Sequence, residues 1–92
     1  MNNPTTQSVK VEIYTAALCS YCSRARHLLT KKGVQFTEYH VDSDYALRQE
    51  MEQRSKRTSV PQIFINDQHI GGFDDMAELD IDGDLDKLLG LE

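Results

Sequence analysis

The sequence predicts an α/β domain with a four-stranded mixed sheet flanked by helices on both faces. Apolar runs and helical patterns alternate in the order βαβ and then αββα, and a tight turn joins the last two strands. The length of 92 residues suits a single modest core. We therefore expect a flexible segment over 1–8 and one domain over 9–92.

The first three elements alternate between strand and helix. An extended apolar run predicts the first strand over 9–15. The helical pattern after it covers 21–32, and Gly33 ends it, as glycine commonly does at a helix C-terminus. A second strand is expected over 35–41.

The second helix begins after a cluster of capping residues. Asp42, Ser43 or Asp44 can accept a hydrogen bond from the first turn, and the helix continues to about Arg54. The polar segment 55–59 then forms a loop.

The last part of the chain predicts a hairpin and two helices. The apolar run 60–65 is the third strand, and an Asn-Asp turn leads into an antiparallel strand over 68–70. Two glycines break the chain before a helix over 73–79. A short helix over 85–89 completes the domain.

Cys19 and Cys22 lie at the predicted start of the first helix. Cysteines three residues apart on a first turn share a face within disulfide reach, so they can pair and separate with little backbone movement. Unpaired N–H groups and the positive end of the helix dipole favour a thiolate at Cys19, whereas Cys22 lies further inside the turn. This placement predicts a redox pair with Cys19 as nucleophile and Cys22 as resolving thiol.

A static disulfide or a zinc site is the alternative role for these cysteines. A zinc site would need two more ligands, and the remaining soft candidates, His27, His40 and His69, form no second paired cluster. Two cysteines are also too few for a disulfide framework. We therefore expect redox chemistry that requires no metal.

The charge distribution limits the classes of partner. The formal net charge is −5, and residues 74–92 hold eight acidic residues and one lysine, so that 1–73 carry a net charge of +2. No stripe of lysine and arginine is dense enough for a nucleic-acid partner. The mildly basic half that holds the cysteines is compatible with a small anionic thiol.

The sequence predicts a cytoplasmic protein. Segment 1–8 is polar, and no apolar run approaches the length that spans a membrane. The cytosol keeps thiols reduced, which favours a catalytic role over a structural one for a cysteine pair. We expect a monomer.

Three motifs together resemble the glutaredoxins, most closely the small bacterial dithiol class. They are Cys-x-Tyr-Cys at 19–22, Thr-Ser-Val-Pro at 58–61 and Gly-Gly-Phe-Asp-Asp at 71–75. The resemblance covers about 9–89 and implies the thioredoxin fold. It also implies a glutathione-dependent enzyme that reduces disulfide-bonded and glutathionylated proteins.

The same resemblance implies a glutathione site. Its residues would be Tyr21, Thr58, Ser59, Val60, Pro61, Gly72, Phe73, Asp74 and Asp75. In the family the proline is cis and faces the redox pair, although an X-Pro bond is usually trans. Val60 would offer a backbone edge to the tripeptide, and the start of the third helix would bind the γ-glutamyl carboxylate.

Ser20 departs from the commonest dithiol motif, which has proline at this position. Serine loosens the turn and adds a hydroxyl that can hydrogen-bond a thiolate. Some glutaredoxins with serine or glycine here carry a [2Fe-2S] cluster, bridged between two subunits with glutathione. A homodimeric cluster carrier is therefore the second functional hypothesis.

A lysine that many glutaredoxins have shortly before the nucleophile is also missing. Residues 16–18 are Ala-Ala-Leu. Lys56 or Arg57, in the loop before Pro61, can supply a cation in its place.

Overall fold

The computed structural model describes residues 7–91. This part of the chain forms four strands, β1 to β4, at Val11–Thr15, Thr37–His40, Gln62–Ile65 and Gln68–Gly71. It also forms four helices, α1 to α4, at Ser20–Lys31, Tyr45–Ser55, Phe73–Ile81 and Asp84–Leu88. All eight predicted elements are therefore present, with ends that differ by a few residues. Within residues 7–91, no helix combines the length and the apolar character that crossing a membrane would require.

The four strands form one sheet in the order β2-β1-β3-β4. Strand β1 is parallel to β2 and antiparallel to β3, and β3 is antiparallel to β4. In this register Ile13 lies between Glu38 of β2 and Ile63 of β3. The predicted mixed sheet is confirmed.

Helices cover both faces of the sheet because side chains of the central strands alternate between two cores. On one face, Ile13 packs with Leu29 of α1 in a cluster that also includes α3 and α4. On the other face, Tyr14 and Phe64 pack with Met51 of α2. The face with α1 and α3 is the one that positions the cysteines.

Strands β1 and β3 start later than the sequence pattern predicts. Strand β3 begins at Gln62 because Pro61 has no N–H to donate to a strand partner. The backbone of Lys10, just before β1, exchanges hydrogen bonds with Asn66 and so links this end of β1 to the β3–β4 turn. Asn66 and Asp67 both have positive φ values, 50° and 66°, which is the geometry of a tight hairpin turn.

The predicted flexible segment 1–8 lies mostly outside the described residues. Only Gln7 and Ser8 belong to the described part, and the Gln7 side-chain amide exchanges two hydrogen bonds with the backbone of Gln35, at 2.8 and 3.0 Å. This contact attaches residue 7 to the chain just before β2.

Candidate active site

Cys19 and Cys22 occupy the first turn of α1. Cys19 is the N-cap residue, and its Sγ accepts a hydrogen bond from the N–H of Cys22 at 3.1 Å. The two Cα atoms are 5.2 Å apart and the sulfurs form a disulfide. Cys22 is fully buried, whereas Cys19 is partly exposed. The expected pairing is therefore present, and Cys19 carries the more accessible sulfur.

The loop between β1 and α1 is attached to the rest of the protein by Asp42. Its carboxylate accepts the N–H of Ala17 at 2.9 Å, and this hydrogen bond lowers the pKa of Asp42. Of the three predicted caps for α2, it is Asp44 that accepts the N–H of Leu47. Leu18 follows Ala17 with φ +55° and a fully exposed side chain. Asp42 thus fixes the loop that leads into Cys19, a role the sequence did not indicate.

The loop before β3 faces the cysteines. The Val60–Pro61 peptide bond is cis, as the resemblance implied. The Sγ of Cys19 lies 3.9 Å from the carbonyl oxygen of Val60. The backbone of Val60 therefore forms one side of the space above the exposed sulfur.

A cavity of about 320 Å³ lies beside the cysteine pair. It is lined by Tyr21, Arg57, Ser59, Val60, Pro61, Gly72, Phe73, Asp74 and Asp75. Eight of the nine residues predicted for the glutathione site thus share one cavity. The ninth, Thr58, is exposed and does not line it, and the carbonyl oxygen of Thr58 accepts a hydrogen bond from Arg48 at 3.2 Å.

The start of α3 forms the far wall of this cavity. The carboxylate of Asp75 accepts the N–H of Gly72 at 2.9 Å and a hydrogen bond from Arg57 at 3.0 Å. These two contacts lower the pKa of Asp75, the Gly72 bond most strongly. Gly71 has φ +121°, and a Cβ there would overlap the Asp75 carboxylate. Ionised Asp75 thus caps the first turn of α3 at Gly72, and glycine at 71 leaves room for its carboxylate.

Two aromatic rings form the edge of the cavity nearest α1. The rings of Tyr21 and Phe73 are 6.3 Å apart, and about half of the Tyr21 side chain is exposed. The guanidinium of Arg24 lies 5.2 Å from the centre of the Tyr21 ring. We call the pair of Tyr21 and Phe73 the aromatic ridge, and it connects α1 to α3 close to Cys19.

Only one of the two candidate cations lines the cavity. Arg57 reaches it and pairs with Asp75. Lys56 ends α2 in a left-handed conformation, is exposed and is not part of the lining. The sequence placed both cations in the right loop but could not distinguish them, because adjacent side chains in a loop point in different directions.

A cysteine pair at a helix N-terminus, opposite a cis-proline loop on this four-stranded sheet, defines the thiol-disulfide oxidoreductases of the thioredoxin fold. The family profile described as Glutaredoxin matches residues 11–70. The chain belongs to the glutaredoxin family.

Named relatives and solved structures agree with this assignment. Glutaredoxin 3 of Escherichia coli is 58% identical over 79 residues, which covers 86% of this chain and 95% of that protein. The solution structure of a glutaredoxin from Brucella melitensis is 45% identical with a TM-score of 0.80, and the match covers 97% of this chain and 96% of that one. A buckwheat glutaredoxin-glutathione complex has a TM-score of 0.82 at 28% identity, covering 94% of this chain and 81% of that one. The predicted thioredoxin fold is confirmed.

Proposed function

We propose that this oxidoreductase uses glutathione to reduce glutathione mixed disulfides and protein disulfides through Cys19. The observation that carries the proposal is the cavity beside the partly exposed sulfur, with a backbone edge at Val60, a helix start at Gly72 and a cation at Arg57. These groups complement an extended tripeptide with a carboxylate at each end and a thiol in the middle.

The cavity gives each part of glutathione a counterpart. The γ-glutamyl carboxylate would bind at the first-turn N–H groups of α3, where the helix dipole favours an anion. The glycyl carboxylate would pair with Arg57. The peptide backbone would add to the edge at Val60, so that its sulfur lies between Cys19 and Tyr21.

Reduction of a glutathionylated protein takes two exchanges. The Cys19 thiolate attacks the glutathione sulfur, a Cys19–glutathione disulfide forms, and the protein leaves as a thiolate that takes a proton from solvent. The thiolate of a second glutathione then attacks the glutathione sulfur of this adduct. Oxidised glutathione leaves, and the Cys19 thiolate is restored.

Reduction of a protein disulfide uses Cys22 as well. Cys19 first forms a mixed disulfide with the protein, and the Cys22 thiolate attacks the Cys19 sulfur, releasing the second protein thiol. The Cys19–Cys22 disulfide that results is the form the structure holds. Two glutathione molecules then reduce it and leave as oxidised glutathione.

A coupled assay tests this proposal. A glutathione mixed disulfide of a small thiol, such as 2-mercaptoethanol, is supplied with glutathione, glutathione reductase and NADPH. We expect NADPH oxidation that depends on both the protein and glutathione. Equal turnover with thioredoxin reductase alone and no glutathione would contradict the proposal.

Arg57→Gln should raise the KM for glutathione about three- to fivefold with little change in kcat. A half-exposed ion pair is worth up to about 1 kcal/mol, which corresponds to a factor of about five. The matched control is Lys56→Gln, which removes the same charge one residue away from a side chain that does not line the cavity. An equal rise in KM for both variants would show that only the overall charge matters and would refute the Arg57 contact.

The second hypothesis, a [2Fe-2S] cluster bridged between two subunits, requires four ligands. In residues 7–91, no group of three or more His, Cys, Asp or Glu side chains is placed to hold a metal. A cluster would therefore have to take further ligands from glutathione and from a second chain. Ser20 is the feature of this chain that favours that assembly, and the proposed thiol-disulfide exchanges do not require it.

A further inference from the structure

A second depression, the α1/α3 groove, lies on the other side of the aromatic ridge. It has a volume of about 470 Å³ and runs between the two helices. Its floor is apolar, formed by Leu28, Phe73, Ala77 and Ile81. Phe73 also lines the first cavity, the one beside the cysteine pair, so the groove begins where that cavity ends.

The apolar side chains that form the floor of the groove are exposed to solvent in part. Ile81 is 85% exposed at the end of α3, where acidic residues surround it in the sequence. Leu28 and Phe73 are only partly buried, at the edge of the main core. An apolar side chain that filled the groove would remove this surface from water.

The rim of the groove carries two cations that form no ion pair within residues 7–91. Arg24 and Lys31 of α1 line the groove and are exposed. Neither has a carboxylate within 4.0 Å among the described residues. Both charges are therefore available to a bound molecule.

One acidic residue of α3, Asp80, lines the groove, and it shares Lys32 with Asp86, at 2.6 and 2.8 Å. The two cations of the rim still outnumber this acid in the lining. The exposed acids Asp74 and Glu78 do not line the groove. A cationic rim on a chain with a net charge of −5 is a local feature that favours an acidic partner.

We propose that the α1/α3 groove binds the polypeptide next to the reacting cysteine of a substrate protein. The preferred segment has an apolar side chain for the floor and acidic side chains for the rim. This inference rests on the proposed function, because glutathione would occupy the first cavity while the protein half of the same mixed disulfide crosses the aromatic ridge. A small mixed disulfide would not reach the groove.

Two glutathionylated peptides test the inference in the coupled assay. Both carry the modified cysteine followed by leucines, and they differ in having either glutamates or lysines at the flanking positions. For Lys31→Glu, we expect kcat/KM to fall about three- to tenfold with the acidic peptide and to rise with the basic one, because one rim charge is reversed. The difference should shrink at 0.5 M salt, where the Debye length is only about 4 Å.

Control variants distinguish an effect of a substitution in the groove from an effect of the same kind of substitution elsewhere on the surface. Lys87→Glu makes the same charge change on α4, outside the groove, and should leave both peptides within about twofold of the parent. Ile81→Ser should raise the KM for both peptides, whereas Leu91→Ser, a change at another exposed apolar residue, should not. All four variants should turn over the small mixed disulfide like the parent.

The outcomes distinguish this inference from the function on which it rests. If the parent protein does not turn over the small mixed disulfide with glutathione, the proposed function fails and the groove assignment fails with it. If the parent is active but Lys31→Glu treats both peptides alike, only the groove assignment fails. A concentration-dependent dimer that Ile81→Ser dissociates would also overturn it, because a second copy would then cover the groove.

Discussion

Cys19→Ser is expected to abolish turnover of glutathione mixed disulfides, while Cys22→Ser retains it. Loss of the attacking sulfur should lower the rate to the uncatalysed level, because serine is not ionised at neutral pH. The buried Cys22 sulfur has no exposed surface and cannot substitute for Cys19. The measurement is the coupled assay with the small mixed disulfide, at matched protein concentrations.

The same two variants should both fail to complete reduction of a protein disulfide. In the absence of glutathione, Cys22→Ser is expected to form a mixed disulfide with the protein substrate and to stop there, since the variant has no second thiol to resolve it. The trapped adduct can be detected by mass spectrometry and released by excess thiol. If both variants lost the small-substrate activity equally, the different roles of Cys19 and Cys22 would be wrong.

The different roles of Cys19 and Cys22 depend on the surroundings of the Cys19 sulfur. An ordinary cysteine is only about 3% thiolate at pH 7. The N–H of Cys22, 3.1 Å from the Cys19 Sγ, stabilises the anion that leaves when a second thiol attacks an adduct. A stable thiolate therefore favours the release of glutathione from Cys19 and repeated turnover.

The second large effect is expected at Arg54, on the last turn of α2. Its guanidinium donates to Glu12 at 3.1 and 3.3 Å and to the Tyr14 hydroxyl at 2.8 Å, and Tyr39 donates to Glu12 at 3.0 Å. The Tyr14 hydroxyl in turn donates to Glu50. Glu12 is buried on a central strand of the sheet. Removal of Arg54 would leave this carboxylate without its cation.

Arg54→Met should lower the free energy of unfolding by about 2–4 kcal/mol at pH 7, close to the cost of an unpaired buried charge. The measurement is urea denaturation followed by circular dichroism. Arg48→Met is the control on the same helix, because Arg48 is more exposed and 3.7 Å from Glu52, and we expect a loss below about 1 kcal/mol. Adding Glu12→Gln to Arg54→Met should recover part of the stability. Equal losses in Arg54→Met and Arg48→Met would contradict this account.

The loss of stability in Arg54→Met should depend on pH, and the pKa shift of Glu12 determines the direction of that dependence. Burial raises the pKa of Glu12, but hydrogen bonds from Arg54 and Tyr39 outweigh it and leave the pKa below its ordinary value. In the parent protein this carboxylate therefore stabilises the fold above the unfolded-state pKa, about 4.3, and the contribution is lost as the pH falls through the lower folded pKa. In Arg54→Met burial dominates, so Glu12 takes up a proton more readily. The difference between parent and variant should therefore be smaller at pH 4 than at pH 7.

Local sequence patterns predicted the elements, but not the contacts between distant side chains. Leu29, which lies in the predicted first helix, and Ile63 and Ile65, which lie in the predicted third strand, are buried in the core. The pair of Glu12 and Arg54 joins residues 42 positions apart and depends on how α2 packs on the sheet, which no local pattern shows.

For the candidate site too, the sequence predicted most of the residues but not all of the contacts between them. Spacing alone indicated the cysteine pair, and the resemblance supplied most residues of the cavity. Two details are evident only in the folded structure: Arg57 lines the cavity while Thr58 does not, and Asp42 supports the β1–α1 loop instead of capping α2. Both depend on the direction of a side chain in a loop, which sequence spacing does not determine.

The proposed tripeptide contacts at Val60 and at the start of α3 are made by main-chain atoms. Amide and carbonyl groups are the same in every residue except proline, so exchange of the valine side chain would leave those atoms in place. Ligand recognition of this kind tolerates evolutionary drift at the contact positions themselves. Selection would act instead on Gly71, where a Cβ would overlap the Asp75 carboxylate that accepts the N–H of Gly72.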